Sequence, residues 1–299
     1  MARHWRQENE AGSPWLTRLF ARTCLFVGPT VGRWLLRPIT AYFLLVRRRE
    51  REASRQFLRR ALGREPGWRD LWQHFFTFSH VTLDRVFILG AEGRGVRIDP
   101  VNKEVLYAAM ESHQGCLLLG SHLGSFEASR AVKRRRPEVP LRIVMDTTQS
   151  PAASAFLEAL NPELRGEVLD VGARPGAGVA ILQALEGDAL VGLLADRAHE
   201  KERTISAEFF GETAEFPAGP HEIAMVTQVP SVLMWGLHVG PGRYVLRFDE
   251  FPPPPKATRV ERRQAIEASV QRYATRLEEL ARQYPYNWFN FYDFWNPSE

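Results

Sequence analysis

The hydrophobic pattern of this chain changes character near residue 95. Between residues 50 and 90, apolar side chains recur at intervals of three and four, which predicts two amphipathic helices joined by a turn at residues 63–67. Beyond residue 100, short apolar runs alternate with helical patterns. These patterns predict strands over 116–120, 141–145, 167–171, 189–195, 231–237 and 243–248, and helices over 126–136, 151–160, 178–185, 219–226 and 260–284.

This order of elements predicts the fold class and its division. Strands that alternate with helices pair mostly in parallel, and the helices then cover both faces of the sheet. We therefore expect an α/β protein with a mostly parallel central sheet flanked by helices. Residues 1–95 are predicted to form a helical lead-in that associates with a membrane, and residues 96–299 one continuous α/β body.

The composition is that of a protein with a large buried core. The 299 residues are 44% hydrophobic and 25% charged, which excludes a disordered tail and a small disulfide-stapled scaffold. Cys24 and Cys116 are too few for a disulfide framework, and neither the cysteines nor the histidines have the spacing of a metal site. We expect no metal site and a reducing compartment.

The basic charge lies at the amino-terminal end. Residues 1–70 contain fifteen arginines and six acidic residues, a net charge of +9, so the rest of the chain carries −5 of the total of +4. Arginines interrupt the apolar runs between residues 15 and 46, where the longest uncharged stretch has ten residues. A spanning helix needs about 20 apolar residues, so a transmembrane segment is disfavoured. A cleavable signal peptide is disfavoured too, because no small-residue cleavage site follows.

An arginine-flanked, aromatic-rich segment of this kind is typical of a helix that lies in a membrane interface. The alternative is a helix pair packed on the body with its arginines in solvent. Nucleic acid is the less favoured partner, because these arginines alternate with aliphatic side chains and the rest of the chain is acidic. We expect an anionic membrane surface as a partner and no nucleic acid.

One histidine follows a predicted strand directly. The segment from Leu118 to Glu127 places His122 at the carboxyl end of strand 116–120, where parallel sheets bind ligands. If His122 lies in the turn and Glu127 in the first turns of the next helix, the carboxylate can orient the imidazole as a general base. The amides near Gly124 and Ser125 could then meet an anion or a developing oxyanion. The alternative is a capping turn without chemistry.

Four blocks in this chain resemble a known family. The segment from Ser121 to Glu127 has the form HX4(D/E), and Asp196–Arg197 ends a predicted strand. The other two blocks are FFG at 209–211 with FPAGP at 216–220, and PYNWF at 285–289. In this order they resemble the lipid A biosynthesis (lauroyl/myristoyl) acyltransferases of the HX4(D/E) lysophospholipid acyltransferase superfamily. The resemblance spans about residues 15–295.

The resemblance implies transfer of a fatty acyl chain from acyl carrier protein, or from coenzyme A, to a hydroxyl of a lipid or lipid-like acceptor. His122 would be the general base and Glu127 its partner. No covalent acyl-enzyme and no cofactor are implied, which agrees with the absence of a GxSxG motif. The implied location is the cytoplasmic face of the bacterial inner membrane, with the protein bound peripherally.

The same resemblance suggests residues that bind substrate. Asp196 and Arg197 would face the cleft of His122, with a local cap or ion pair as the alternative. Three arginines are candidates for holding phosphate, although each is also readily explained as a solvated surface residue. The full set of substrate-binding candidates is Gly124, Ser125, Arg142, Arg165, Asp196, Arg197, Phe210, Gly211, Gly219 and Pro220, with Arg174 as a further phosphate candidate.

Two departures bear on the acceptor. The family's usual motif has Asn-Trp before the acid, whereas this chain has Ser125-Phe126, and its ending is aromatic where that of lipid A enzymes is arginine-rich. The ending resembles a branch found beside polyketide-like pathways, including aryl polyene pigments, so the acceptor is a lipid, a glycolipid or a polyene. We expect the aromatic side chains of this ending to line a substrate tunnel, to touch the membrane interface or to pack on the core. A non-catalytic lipid-binding protein on the same fold is the alternative function.

Overall fold

Three helices precede the sheet in the part of the chain that the computed structural model describes, namely residues 14–147, 160, 166–172, 176–198, 202–256, 258 and 261–295. They are α1 (Pro14–Val46), α2 (Arg48–Leu62) and α3 (Trp68–Gly90). α1 kinks at Gly28, whose backbone φ of 80° and ψ of 169° leave the helical region, next to a proline without an amide hydrogen. α2 ends at Gly63, which takes the left-handed conformation common at helix ends.

α1 packs along α3 and is tied to the body by a buried carboxylate. Cys24, Leu36 and Leu44 are buried on the inner side of α1. The Arg33 guanidinium donates to Asp84 of α3 at 2.9 Å. Asp84 also accepts from the hydroxyl of Tyr244 at 3.0 Å, so one buried side chain joins both helices to the sheet.

The described residues form nine strands in two sheets. They are β1 (Arg97–Val101), β2 (Cys116–Gly120), β3 (Leu141–Met145), β4 (Val168–Asp170), β5 (Leu190–Leu194), β6 (Thr204–Phe209), β7 (Glu212–Pro217), β8 (Ser231–Gly240) and β9 (Arg243–Glu250). Seven of them form the central sheet in the order β1-β9-β8-β2-β5-β3-β4, and β6 and β7 form a separate hairpin. In the central sheet every neighbouring pair is parallel except β8 and β9.

Helices cover both faces of this sheet. The elements are α4 (Lys103–Met110), a 3₁₀ turn (Phe126–Ser129) that leads into α5 (Arg130–Arg135), α6 (Ala177–Glu186), α7 (Gly219–Thr227) and α8 (Glu261–Gln283). Alternate residues of β2 belong to opposite cores: Leu117 and Leu119 pack with α6 and α8, and Leu118 packs with α4 and α5. A strand buried on both faces reads as a continuous apolar run, as residues 116–120 do.

The mostly parallel α/β sheet is confirmed. The hydrophobic pattern did not predict β1, α4 or the β6–β7 hairpin, which are short or half-exposed elements. The helix expected from residue 126 begins as a 3₁₀ turn, and the helix expected at 151–160 lies outside the described residues apart from Leu160. Within the described ranges, every helix is too short or too polar to cross a membrane.

Candidate active site

The candidate base lies where two adjacent strands end. β2 and β5 are parallel neighbours, with Gly120 opposite Leu194 in the register. His122 and Asp196 each follow two residues later. Because parallel strands leave the sheet at the same edge, this register brings the two side chains together at the carboxyl edge, where open α/β sheets bind ligands.

Asp196 holds His122 through both its ring and its backbone. Nδ1 of His122 lies 2.9 Å from Oδ1 of Asp196, and the His122 amide donates to Oδ2 at 3.0 Å. The indole Nε1–H of Trp288 also donates to Oδ2 at 3.0 Å. Asp196 is fully buried, so these contacts replace the water that a carboxylate needs.

This arrangement selects one tautomer of the imidazole. An ionised carboxylate only accepts hydrogen bonds, so Nδ1 carries the proton and Nε2 is left as the basic nitrogen. The side chain of His122 is 34% exposed. Among the described residues, Nε2 has no hydrogen-bond partner. The basic nitrogen is therefore free to accept a proton from a bound molecule.

Burial and neighbouring charges set the ionisation of this pair. Burial acts to raise the pKa of the Asp196 carboxyl, but His122, Arg197 and the Trp288 indole together hold that pKa below its ordinary value. Burial lowers the pKa of His122, the charge of Arg197 lowers it further, and Asp196 offsets only part of this. At neutral pH the site holds a carboxylate and a neutral imidazole.

The expected contact between Glu127 and the imidazole is corrected by the structure. Oε2 of Glu127 accepts from the Ser125 hydroxyl at 3.0 Å, and Oε1 forms an ion pair with Nε of Arg85 on α3 at 2.8 Å. The reason is the path of the intervening chain: Gly124 bridges to β8 before the 3₁₀ turn begins, which directs Glu127 towards α3. The carboxylate on Nδ1 is that of Asp196.

The expected anion site at Gly124 and Ser125 is corrected as well. The Gly124 amide donates to the carbonyl of Asn287 at 2.8 Å, and the Ser125 amide donates to the carbonyl of Gly236 at 2.8 Å. The amide of Leu123 donates to the Ser121 hydroxyl at 3.1 Å. Each of these three amides is therefore engaged within the protein.

The carboxyl-terminal block forms one wall of the site. Trp288 pairs with Leu123 as an antiparallel bridge, and the Phe289 amide donates to the His122 carbonyl at 3.1 Å. The Trp288 carbonyl lies 2.9 Å from Nε2 of His74, which is buried and whose pKa burial lowers to about 4. The roles of Trp288 and His74 were not predicted from the hydrophobic pattern, and the PYNWF block was the signal that could have pointed to Trp288.

A comparison of the sequence with family models finds a match. Residues 4–296 match the model described as bacterial lipid A biosynthesis acyltransferase. The chain belongs to this family. No curated protein matches the chain. Because the match spans nearly the whole chain, it includes the loop of His122, the end of β5 and the block that carries Trp288, and it supports acyl transfer as the activity.

Of the two predicted arginine ligands of this acyltransferase that lie in described ranges, Arg197 reaches the site and Arg142 does not. The Arg197 guanidinium donates to the Phe289 carbonyl and lies 4.0 Å from Oδ2 of Asp196, so both residues of this pair belong to the site. Arg142 does not, because it lies opposite Val191 near the amino-terminal end of β3, far from the carboxyl edge. Arg165 and Arg174 lie outside the described residues.

The glycines and prolines of the family blocks build supports around the acyltransferase site. Phe210 and Gly211 form the two-residue turn between β6 and β7, and both have positive φ. The Phe210 ring packs 6.0 Å from that of Phe57 on α2. Gly219 and Pro220 begin α7. A proline fits in the first turn of a helix because an amide hydrogen there would have no partner within the helix. The structure shows no hydrogen bond from these four residues to His122 or Asp196.

The aromatic ending packs largely on the core, as one of the three alternatives expected. Trp288, Phe289 and Phe294 are buried. The Trp288 ring lies 4.9 Å from both Phe57 and Phe294, edge to face. This packing fixes the position from which the Trp288 indole reaches Asp196.

Gly124→Ala tests how tightly the His122 loop packs on β8. Gly124 has a φ of +79°, and an added Cβ would lie 2.0 Å from the carbonyl oxygen of Gly236. Gly211 has a φ of +78° with nothing within 4 Å, so Gly211→Ala isolates the backbone cost, about 1–2 kcal/mol. We expect Gly124→Ala to reduce the free energy of unfolding by about 3–5 kcal/mol, measured by urea denaturation. Equal losses in the two variants would contradict this packing.

Proposed function

We propose that this protein transfers a fatty acyl chain from acyl carrier protein, or from coenzyme A, to a hydroxyl of a lipid acceptor. The observation that carries the proposal is the pairing of His122 with Asp196, which leaves Nε2 unprotonated and without a partner in the described structure. A base in this state suits removal of a proton from a hydroxyl. The family match supports the acyl group as what is transferred.

The reaction needs no covalent enzyme intermediate. Nε2 of His122 takes the hydroxyl proton as the acceptor oxygen attacks the thioester carbonyl carbon. The tetrahedral intermediate collapses with cleavage of the carbon–sulfur bond, and the imidazolium returns its proton to the departing thiolate. Asp196 stabilises the imidazolium during this cycle and acts on His122 as a positioning residue.

Two arginines supply positive charge beside the base. Arg197 and Arg85 both lower the pKa of His122, and Glu127 holds Arg85 through its ion pair. Because the amides of Leu123, Gly124 and Ser125 are engaged, these guanidinium groups are the donors we assign to the developing oxyanion or to a phosphate of the substrate. Glu127 then acts on the reaction through Arg85 and Ser125.

The lowered pKa of His122 predicts an activity profile that extends to acid pH. The reaction needs neutral imidazole, which is present above the pKa of His122 and is lost as the pH falls through it. We expect the acid limb of kcat/KM to have its midpoint below the ordinary histidine value of about 6.5. Initial rates between about pH 4.5 and 8 measure it. A midpoint above 6.5 would contradict the charge arrangement around Nε2.

We place this acyltransferase on the cytoplasmic face of the bacterial inner membrane. The outer side of α1 is apolar and exposed, with Phe26 at 92% and Trp34 at 66% exposure. The exposed Arg37 lies on the same side, with its guanidinium over the Trp34 ring. Such a face suits the boundary between lipid headgroups and acyl chains. The acceptor we propose is a lipid, glycolipid or aryl polyene of that membrane, with the aryl polyene branch suggested by the aromatic ending.

The test is a transfer assay with labelled acyl carrier protein and extracted bacterial membrane lipids and pigments. We expect free carrier thiol and a labelled acyl ester to form together, with mass spectrometry identifying the acceptor. Binding of acyl carrier protein without any thiol release, over all acceptors and both donors, would support instead a non-catalytic lipid-binding protein on the same fold.

A further inference from the structure

A groove lies between the end of α1 and the start of α3. It is an open depression of about 510 Å³, lined by Leu44, Trp68, Arg69, Trp72 and Gln73. We call it the α1–α3 groove.

The α1–α3 groove is separate from the candidate active site. Phe78 and Arg85 follow Trp72 on α3 by six and thirteen residues, which places them about 240° and 220° around the helix. Arg85 contacts Glu127, and the Phe78 ring packs 5.3 Å from that of Phe289, on the side of His122. α3 therefore stands between the groove and the catalytic pair.

The walls of the groove are apolar and aromatic. Leu44 is buried at its base, Trp68 is 58% exposed, and the Trp72 ring stacks on Phe76 at 5.6 Å. Indole rings combine an apolar body with one N–H donor, and they are enriched at the level of lipid headgroups. A fatty acyl chain with a polar head is the chemistry that such walls fit.

The rim of the groove is positively charged. Arg69 is exposed and has no ion-pair or hydrogen-bond partner in the part of the chain that the structure describes, and the same holds for Arg48. The Arg51 guanidinium lies 5.6 Å above the Trp68 ring and donates to the Leu44 carbonyl at 2.6 Å. The unpaired charge beside the groove thus suits a phosphate, which arginine binds by two hydrogen bonds.

The exposed apolar surface next to the groove is typical of a surface that contacts a lipid bilayer. Tyr42, Leu45 and Val46 are exposed in the last turns of α1, and the exposed apolar face reaches back to Phe26. Beyond the kink at Gly28, from Val31 to Val46, this face is about 22 Å long at 1.5 Å per residue. A surface that is long, apolar and edged by arginine matches the boundary of an anionic membrane.

We propose that the α1–α3 groove binds one anionic phospholipid, with an acyl chain against Trp68, Trp72 and Leu44 and the phosphate at Arg69. The proposal deepens the membrane location proposed above and rests on it. The bound lipid sets the orientation in which α1 lies on the bilayer, independently of the reaction at His122.

The experiment measures binding of the full chain to vesicles of phosphatidylcholine with and without phosphatidylglycerol, by cosedimentation. We expect Arg69→Gln to weaken binding to the anionic vesicles about fivefold and to leave binding to neutral vesicles unchanged. Trp68→Ala should weaken both. Arg262→Gln, which removes an exposed arginine on α8, is the matched control and should bind as the wild type does.

A second readout reports contact with the chain of the lipid. Phospholipids brominated on the acyl chain should quench less fluorescence in Trp72→Phe than in the wild type, and circular dichroism verifies that each variant is folded. Groove variants that bind like Arg262→Gln would overturn the proposal.

Trp34→Ala separates the groove from the membrane location itself. If this variant on the outer face of α1 loses vesicle binding while the groove variants retain it, the groove proposal alone fails. If neither kind of variant changes binding, the membrane location fails as well. A wild-type dimer that Trp68→Ala converts to a monomer, seen by light scattering, would overturn the proposal in favour of a second copy as the occupant.

Discussion

His122→Asn is expected to lower kcat by about 10³-fold while the protein stays folded, because the variant lacks the basic nitrogen but keeps a donor for Asp196. The side-chain amide of asparagine can occupy the position of Nδ1, which lies 2.9 Å from Oδ1 of Asp196. The buried carboxylate therefore retains a partner. Steady-state rates of thiol release with a saturating acceptor measure the effect.

Two further variants provide a comparison and a control for His122→Asn. His122→Ala removes the donor together with the base, so it should lose the same activity and some stability, because Oδ1 of Asp196 loses its imidazole partner. His113→Ala removes an 82% exposed imidazole and should leave both activity and thermal unfolding unchanged. Near-normal turnover in His122→Asn would rule out His122 as the base.

Asp196→Asn is expected to lower kcat by about 10³- to 10⁴-fold, because it reverses the tautomer of His122. Oδ2 of Asp196 accepts from two donors, the His122 amide and the Trp288 indole. The oxygen of asparagine must take that position, and its NH₂ group then faces Nδ1. Nδ1 becomes an acceptor, the proton moves to Nε2, and the base is lost.

The dependence on pH distinguishes this explanation from a structural one. The Asp196 charge raises the pKa of His122, so its removal lowers that pKa further and shifts the remaining acid limb to lower pH. Glu127→Gln is the matched comparison, since Glu127 contacts Arg85 and Ser125 and not the ring. We expect it to raise KM more than it lowers kcat. Loss of kcat in Glu127→Gln with a mild effect in Asp196→Asn would restore Glu127 as the partner of His122.

Short-range patterns predicted most of the sheet. Residues 116–120 and 141–145 are apolar runs bounded by turn residues, and β2 and β3 have these bounds. Such runs can be read locally because a strand buried on both faces needs apolar side chains at every position. β1 has only five residues with little regular pattern, whereas β6 alternates buried and more exposed positions, a signal of a half-buried strand that the search for continuous apolar runs passed over.

The sequence also predicted only part of the candidate site. The HX4(D/E) motif predicted His122 at the end of a strand, and the family blocks indicated that Asp196 belongs near it. The motif also suggested Glu127 as the partner of the ring, because the two residues are close in sequence. Their contact depends on the path between them, and the bridge from Gly124 to Gly236 on β8 directs Glu127 elsewhere.

The amino-acid sequence thus establishes the α/β class, the location of His122 at the carboxyl edge and the family of acyltransferases. These properties depend on residues that are neighbours in the chain or on the order of blocks along it. The hydrogen bonds of Asp196 with His122 and with Trp288 join positions that are 74 and 92 residues apart. Such contacts follow from strand register and from the folding of the chain end onto the sheet, so the partner of the base became known only from the packed fold.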